Sequence, residues 1–187
     1  MPDSPREIRV FDATNQPPSM RSYLESRMRA QLPPRLRFTV TFTGRLASTP
    51  DVAALGDHTY LAAILGKGRD GEAMRLFLAF NKPATDAIRR ALQLDLTRSF
   101  SGTAGTSGVT YGHVSIVPTT RLSPFADDDS VKSNKIFLSN LLIHEVGHAI
   151  STKGAIADHR TGGVMKPELS TDDPELGYTA AFLNGLK

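Results

Sequence analysis

The chain has 187 residues, 40% of them hydrophobic and 22% charged, which is the composition of an ordinary globular protein. The formal net charge is +3, but the basic residues are spread along the chain and tryptophan is absent, so we expect no nucleic-acid partner. The absence of cysteine excludes disulfides, thiolate ligands and a cysteine nucleophile. Any transition-metal site must therefore use His, Asp or Glu.

The apolar runs and the start of the sequence set few limits on where the protein works. No apolar run approaches the roughly 18 residues that a membrane span needs, so no membrane span is expected. Residues 1–7 lack the basic-then-apolar pattern of a signal peptide. The localisation stays unknown: we expect a cytoplasmic protein if the chain is complete and a secreted one if it is a trimmed mature domain. The oligomeric state is equally open.

The first part of the chain, about residues 1–120, is predicted to be rich in strands. Residues 8–11 and 37–45 are typical of strands, and residues 20–32 are typical of a helix that ends before two prolines. Apolar runs at residues 60–65 and 74–80 surround a glycine-rich turn, which predicts a hairpin.

The segment that follows is predicted to alternate between regular structure and loops. Residues 83–100 have helical spacing, residues 101–108 form a loop of small residues, and residues 109–117 regain strand character. A second loop ends in three aspartates and Ser130, which suit the start of a helix. We therefore expect one α+β domain over residues 1–187.

The most informative segment is a predicted helix over about residues 131–153, which is apolar around most of its circumference. Polar side chains on such a helix need a reason, because buried unpaired ionisable groups are costly. His144 and His148 are four residues apart, so they project from one face, and Glu145 lies beside them. Zinc peptidases use this arrangement to hold a metal and a general base on one helix.

The residues after this helix continue in a recognisable order. Gly154 is expected to end the helix after one additional turn, His159 follows on a loop, and Met165 lies in a tight turn after two glycines. Over residues 141–167 the chain resembles the metzincin family of zinc peptidases. The family pattern is His-Glu-x-x-His-x-x-Gly-x-x-His (or Asp), followed by a methionine-containing turn. Here Ser151 replaces the family glycine, and the loop to the third ligand is enlarged.

The resemblance implies a small twisted mixed β-sheet packed on an N-terminal helix and a central active-site helix. A C-terminal helix, at about residues 179–186, follows the Met-turn. One catalytic Zn²⁺ is expected, with His144, His148 and His159 as ligands and Asp158 as the alternative third ligand. Glu145 would be the general base and Met165 the floor beneath the metal. Residues 154–187 would thus hold the third-ligand loop, the Met-turn and the last helix.

The expected activity is zinc-dependent endopeptidase cleavage of a peptide or protein, with no substrate residue identifiable from the sequence. One alternative is a gluzincin-type peptidase whose third ligand is Glu168 or Glu175. Another is a non-catalytic binding module in which zinc only staples the fold. Glu145 speaks against the second alternative, since a structural site has no use for a base. His58 and His113 are interpreted as surface or structural residues.

Overall fold

The computed structural model of the protein describes residues 6–12, 18–43, 60–66, 108–111, 114–118, 128–151 and 153–186. Five strands and four helices lie in these segments, together with short 3₁₀ turns at Pro34–Leu36 and Gly163–Met165. In chain order the strands and helices are β1 (Arg6–Asp12), α1 (Pro18–Gln31), β2 (Phe38–Thr43), β3 (Tyr60–Gly66), β4 (Val109–Tyr111), β5 (Val114–Pro118), α2 (Asp128–Ile150), α3 (Ala155–His159) and α4 (Ala180–Gly185).

The five strands form one mixed sheet in the order β2-β1-β3-β5-β4. All neighbouring pairs are parallel except β4 and β5, which are antiparallel. Only two residues separate β4 from β5, a length that suits an antiparallel hairpin and is too short for a parallel crossover. The predicted α+β class and mixed sheet are therefore confirmed, and β4 lies at the edge of the sheet.

The predicted hairpin of residues 60–65 with residues 74–80 is wrong. β3 pairs with β1 along one edge and with β5 along the other, so it is the central strand of the sheet. Its continuous apolar sequence suits such a strand, because parallel strands in the middle of a sheet are covered on both faces. Residues 74–80, the predicted helix over residues 83–100, and the histidines at 58 and 113 lie outside the described residues.

The core lies between the sheet and two helices. α1 contacts α2 and β2, and α2 contacts β3, β4 and β5, so the two helices pack on each other and on different strands of the sheet. Ile8 and Val10 of β1 are fully buried, whereas Glu7 and Arg9, which alternate with them, are half-buried and pair with each other. This alternation gives β1 one apolar face toward the helices and one polar face.

The central helix α2 starts and ends three residues earlier than predicted. It runs from Asp128 to Ile150, where the prediction was 131–153. The hydroxyl of Ser151 explains the early end, because it accepts a hydrogen bond from the backbone N–H of Lys153 at 3.2 Å and so competes with another helical turn. Gly154, with φ of 83°, stands before α3 and does not cap α2, and the predicted loop to His159 is the short helix α3.

The chain ends in the predicted C-terminal helix. Thr179 is its N-cap, and the Thr179 hydroxyl accepts a hydrogen bond from the backbone N–H of Phe182 at 3.2 Å. Phe182 is buried and stacks on Tyr178, which fixes the helix against the core. In the described segments, no helix is long and apolar enough to cross a membrane.

Candidate metal centre

Three imidazoles converge where α2 meets α3. Nε2 of His148 lies 3.1 Å from Nε2 of His144 and 3.0 Å from Nε2 of His159. The three residues form a group whose potential ligand atoms all lie within 4.8 Å of one another. With Zn–N distances of about 2.0–2.1 Å, the nitrogens of a tetrahedral site lie roughly 3.3 Å apart. The two separations from His148 are close to that value, and all three donors lie within 4.8 Å, so the three residues together can hold a metal ion.

Hydrogen bonds behind two of the rings fix the direction of their lone pairs. Nδ1 of His144 donates to the carbonyl oxygen of Val164 at 2.8 Å, since a carbonyl can only accept. Nδ1 of His148 donates in the same way to a carboxylate oxygen of Asp158 at 3.0 Å. In a neutral imidazole the other nitrogen, Nε2, then carries a lone pair. Two lone pairs that face each other at this distance repel unless a cation lies between them, so the donor set fits zinc.

The electrostatics of the site keep the rings in the form that binds metal. Burial lowers the pKa of His144 to about 4, although its bond to Val164 opposes the shift. Burial, followed by the proximity of His148, also lowers the pKa of His159. Neutral imidazole is the form that ligates a metal, so His144 and His159 need lose no proton near neutral pH.

Asp158 lies behind His148 and does not join the three imidazoles. Its side chain is almost fully buried, and Oδ1 accepts a hydrogen bond from the Ser151 hydroxyl at 2.5 Å while Oδ2 accepts from His148. Of the two candidate third ligands, the structure thus places His159 with the other imidazoles and Asp158 at the rear of His148. A carboxylate in that position fixes the tautomer of a ligand and raises its basicity.

Glu145 is buried against the edge of the sheet. The Thr110 hydroxyl of β4 donates to Oε2 of Glu145 at 2.5 Å, and the Ser115 hydroxyl of β5 lies 3.0 Å from the backbone carbonyl oxygen of Glu145. Burial raises the pKa of Glu145 to about 7, and the hydrogen bond from Thr110 opposes that shift. Thr110 and Ser115 could not be predicted as neighbours of Glu145, because nothing local in the sequence shows that their strands pack on α2.

Met165 lies beneath α2, in the 3₁₀ turn that the sequence predicted as tight. It is fully buried, and a side chain at Gly147 would collide with its sulfur, so the turn packs directly on the helix between the two histidines. The preceding residue, Val164, supplies the carbonyl that holds His144. Gly162 and Gly163 have φ of 71° and 61°, a conformation that favours glycine and lets the chain approach the helix.

The glutamates of the gluzincin-type alternative lie elsewhere. Glu175 accepts a hydrogen bond from the Tyr23 hydroxyl at 2.6 Å and pairs with Arg27 at 3.6 Å, while Glu168 is exposed. Among the residues that the structure describes, the possible metal-binding group consists of the three histidines and includes neither glutamate.

Comparison with known proteins adds little to this geometry. No protein-family description matches the chain, and no curated protein matches it. Among solved structures, the chain is similar to the crystal structure of archaemetzincin from Methanopyrus kandleri. The two chains are 12% identical, the likeness covers 96% of this chain and 92% of the other, and the TM-score is 0.49. A likeness of this size carries no argument about the site, whose interpretation depends on its own residues.

Proposed function

We propose that this protein is a zinc-dependent endopeptidase of the metzincin type, with His144, His148 and His159 as the zinc ligands. The supporting observation is the convergence of three ring nitrogens, two of them with lone pairs fixed by hydrogen bonds, next in sequence to a buried carboxyl. When bound, zinc supplies a Lewis acid that polarises a carbonyl and acidifies water. Three protein ligands leave a coordination position open, which is typical of catalytic sites.

Glu145 serves as the general base in this proposal. Its carboxylate takes a proton from the attacking water and gives that proton to the departing amine. A base with a pKa near neutrality is suited to both transfers, and burial gives Glu145 a pKa of about 7. Met165 and Val164 support the histidines from below and behind, which holds the donor nitrogens in place before substrate arrives.

The edge strand β4 favours a peptide as the substrate class. One side of β4 pairs with β5, and within the described residues no strand pairs with its other side. A strand edge that is not paired with another strand can bind an extended peptide as an added strand through main-chain hydrogen bonds. Because Thr110 of this strand contacts Glu145, a peptide bound along β4 would lie beside the general base.

The test combines metal analysis with proteolysis. We expect about one zinc per chain by elemental analysis, and cleavage of denatured casein that a chelator abolishes and added zinc restores. Glu145→Gln should keep the zinc and lose activity by about 10²–10⁴-fold, because the amide cannot accept the proton. Glu168→Ala and Glu175→Ala should both retain zinc. Zinc binding without any cleavage would instead support the non-catalytic module.

A further inference from the structure

The carboxyl of Glu145 packs against Gly108, the residue just before β4, and Thr110, within β4. These two residues are called the carboxyl seat below. Thr110 Oγ1 lies 2.5 Å from Oε2 of the carboxyl. A Cβ added at Gly108 would lie 2.6 Å from both Cγ and Oε1 of Glu145, closer than real Cβ contacts allow. One residue of the seat therefore holds the carboxyl, and the other leaves the space that it fills.

The number of hydroxyl protons available shows to which acceptor the Thr110 hydroxyl donates its hydrogen bond. Thr110 Oγ1 lies near Oε2 of Glu145 at 2.5 Å, Ser115 Oγ at 2.8 Å and the Glu145 carbonyl oxygen at 3.0 Å, yet a hydroxyl has one proton to donate. Ser115 has its own proton and lies 3.0 Å from the same carbonyl oxygen. In the assignment that fits these distances, the Thr110 hydroxyl donates to the Glu145 carboxylate, because a charge-assisted hydrogen bond is the strongest of the three. The Ser115 hydroxyl then donates to the backbone carbonyl of Glu145.

The glycine at 108 is explained by the same carboxyl. Gly108 does not adopt the left-handed conformation that favours glycine, so its backbone does not require the absence of a side chain. The three atoms nearest to a Cβ added at this position are Cγ, Cδ and Oε1 of Glu145. The Glu145 side chain thus occupies the space that a side chain at position 108 would need.

We propose that Thr110 is a positioning residue for Glu145: it holds Oε2 and leaves Oε1 as the oxygen that exchanges the proton. The proton moves from water to Oε1 and then from Oε1 to the amine nitrogen, while Oε2 accepts from Thr110 throughout. The bond persists in both states because Oε2 is an acceptor whether Oε1 is charged or protonated. This inference rests on the proposed function of the site, and it adds Thr110 and Gly108 to the residues on which turnover depends.

Three variants test the seat in the zinc-loaded protein. Thr110→Val keeps the shape and removes the hydroxyl, Thr110→Ser keeps the hydroxyl, and Ser115→Ala removes a neighbouring hydroxyl bond that does not reach the carboxyl. We expect Thr110→Val to lower kcat for a fluorogenic peptide by at least about tenfold, with KM and zinc content unchanged, because misplaced catalytic groups cost up to about 10²-fold. Thr110→Ser should recover most of the loss, and Ser115→Ala should lose less than Thr110→Val.

Other outcomes decide against the proposal. A kcat of the wild-type size in Thr110→Val, or an equal loss in Thr110→Ser, would overturn the role of the hydroxyl. If Thr110→Val does not fold, Gly108→Ala replaces it and must lower kcat without loss of zinc. If the zinc-loaded wild-type protein cleaves no peptide, the proposed function fails. Crystal structures of the wild type and of Thr110→Val then test the role of Thr110 separately. A Glu145 carboxyl ordered on Thr110 in wild type and displaced in Thr110→Val supports the seat, and an unchanged carboxyl in the variant overturns it.

Discussion

Asp158 and His159 are neighbours in the chain with different surroundings, and the difference separates a candidate ligand from a supporting residue. His159 Nε2 lies 3.0 Å from the nitrogen of His148 that faces the proposed metal, and Asp158 bonds the opposite nitrogen of the same ring. Successive residues at the end of α3 point in different directions, so one of them faces the imidazoles and the other faces the helix behind them.

Substitution of these two residues should give unequal losses of zinc affinity. His159→Ala removes a nitrogen donor and should abolish tight binding. Asp158→Ala removes the carboxylate behind His148 and should weaken zinc binding by roughly 10- to 100-fold. Competition with a chromogenic chelator measures both affinities, and Asp172→Ala, at an exposed aspartate, serves as the control. If Asp158→Ala loses zinc while His159→Ala remains loaded, Asp158 is the ligand and our assignment is wrong.

Glu145 gives the metal-free protein a stability that depends on pH. Burial raises the pKa of this carboxyl from 4.5 to about 7, so the folded state keeps its proton where the unfolded state has lost it. Between these two pKa values the unfolded chain binds fewer protons, and the contribution of Glu145 to the free energy of unfolding therefore falls as pH rises. This contribution is complete below pH 4.5 and is lost as pH rises through about 7.

We therefore expect Glu145→Gln to gain stability relative to wild type across this window. Both proteins are stripped of metal, and urea unfolding is measured at intervals from pH 4 to pH 8. The difference in the free energy of unfolding should grow by on the order of 3 kcal/mol and then level off. The lowered pKa of His144 acts in the opposite direction, but His144 is present in both proteins and largely cancels in the difference. A difference that does not vary with pH would contradict the burial of an ionisable Glu145.

At the scale of elements, one buried amide attaches the segment after the Met165 turn to α2. Asn140 is fully buried; its Oδ1 accepts from the backbone N–H of Leu176 at 3.0 Å, and its Nδ2 donates to the carbonyl of Pro174 at 2.9 Å. A guanidinium nitrogen of Arg27 in α1 lies 3.3 Å from the same Oδ1 and 2.7 Å from the carbonyl of Leu176. Asn140 and Arg27 thus fix the backbone of residues 174–176 against two helices.

Asn140→Leu should destabilise the protein by about 1–3 kcal/mol, because it removes the hydrogen bonds that the fully buried amide makes to the backbone of Leu176 and Pro174. Asn184→Ala is the matched control: Asn184 is exposed and its side chain accepts a hydrogen bond from Arg35 at 3.3 Å, so we expect a change within about 0.5 kcal/mol. Denaturant unfolding of the two variants gives both values. Equal effects would show that the amide of Asn140 does not hold the segment.

The elements that could be predicted from sequence are those specified by local pattern. Helix α2 follows from its helical spacing, although Ser130, the residue expected at its start, lies inside it. His144, Glu145 and His148 are recognisable because they lie within about one turn of α2. The partners of β3 could not be predicted, since an apolar run does not specify which strands lie beside it. The early end of α2 depends on a side-chain hydrogen bond within a turn.

The residues that contact the site from other parts of the chain could not be predicted from the sequence, for a related reason. Thr110 contacts Glu145 across 35 positions of the chain, and Val164 contacts His144 across 20. Neither residue belongs to a motif, and each acquires its place only when the sheet and the turn pack on α2. The single-domain organisation over residues 1–187 stays a prediction, as do the roles proposed for the ligands.

At the scale of the whole molecule, a metal at the proposed zinc site would link side chains from two separate helices. Its donors come from α2 and α3, and the turn Gly163–Met165 fixes one of the rings through Val164. An unfolded chain cannot present three nitrogens within 4.8 Å of one another, so zinc at the proposed site would bind the folded state in strong preference. Binding free energy of this kind adds to the stability of the fold.

Zinc should therefore raise the melting temperature in proportion to the logarithm of its free concentration. At a free zinc concentration about 1,000 times Kd the gain is about 4 kcal/mol, which for a protein of this size corresponds to a shift of roughly 8–16 °C. Differential scanning calorimetry with a chelator and with buffered zinc measures the shift. His148→Ala should abolish it, whereas Glu145→Gln should retain it, because the proposed base is not a ligand. If the melting temperature of the wild-type protein does not change with the free zinc concentration, a zinc site built from these three histidines is excluded.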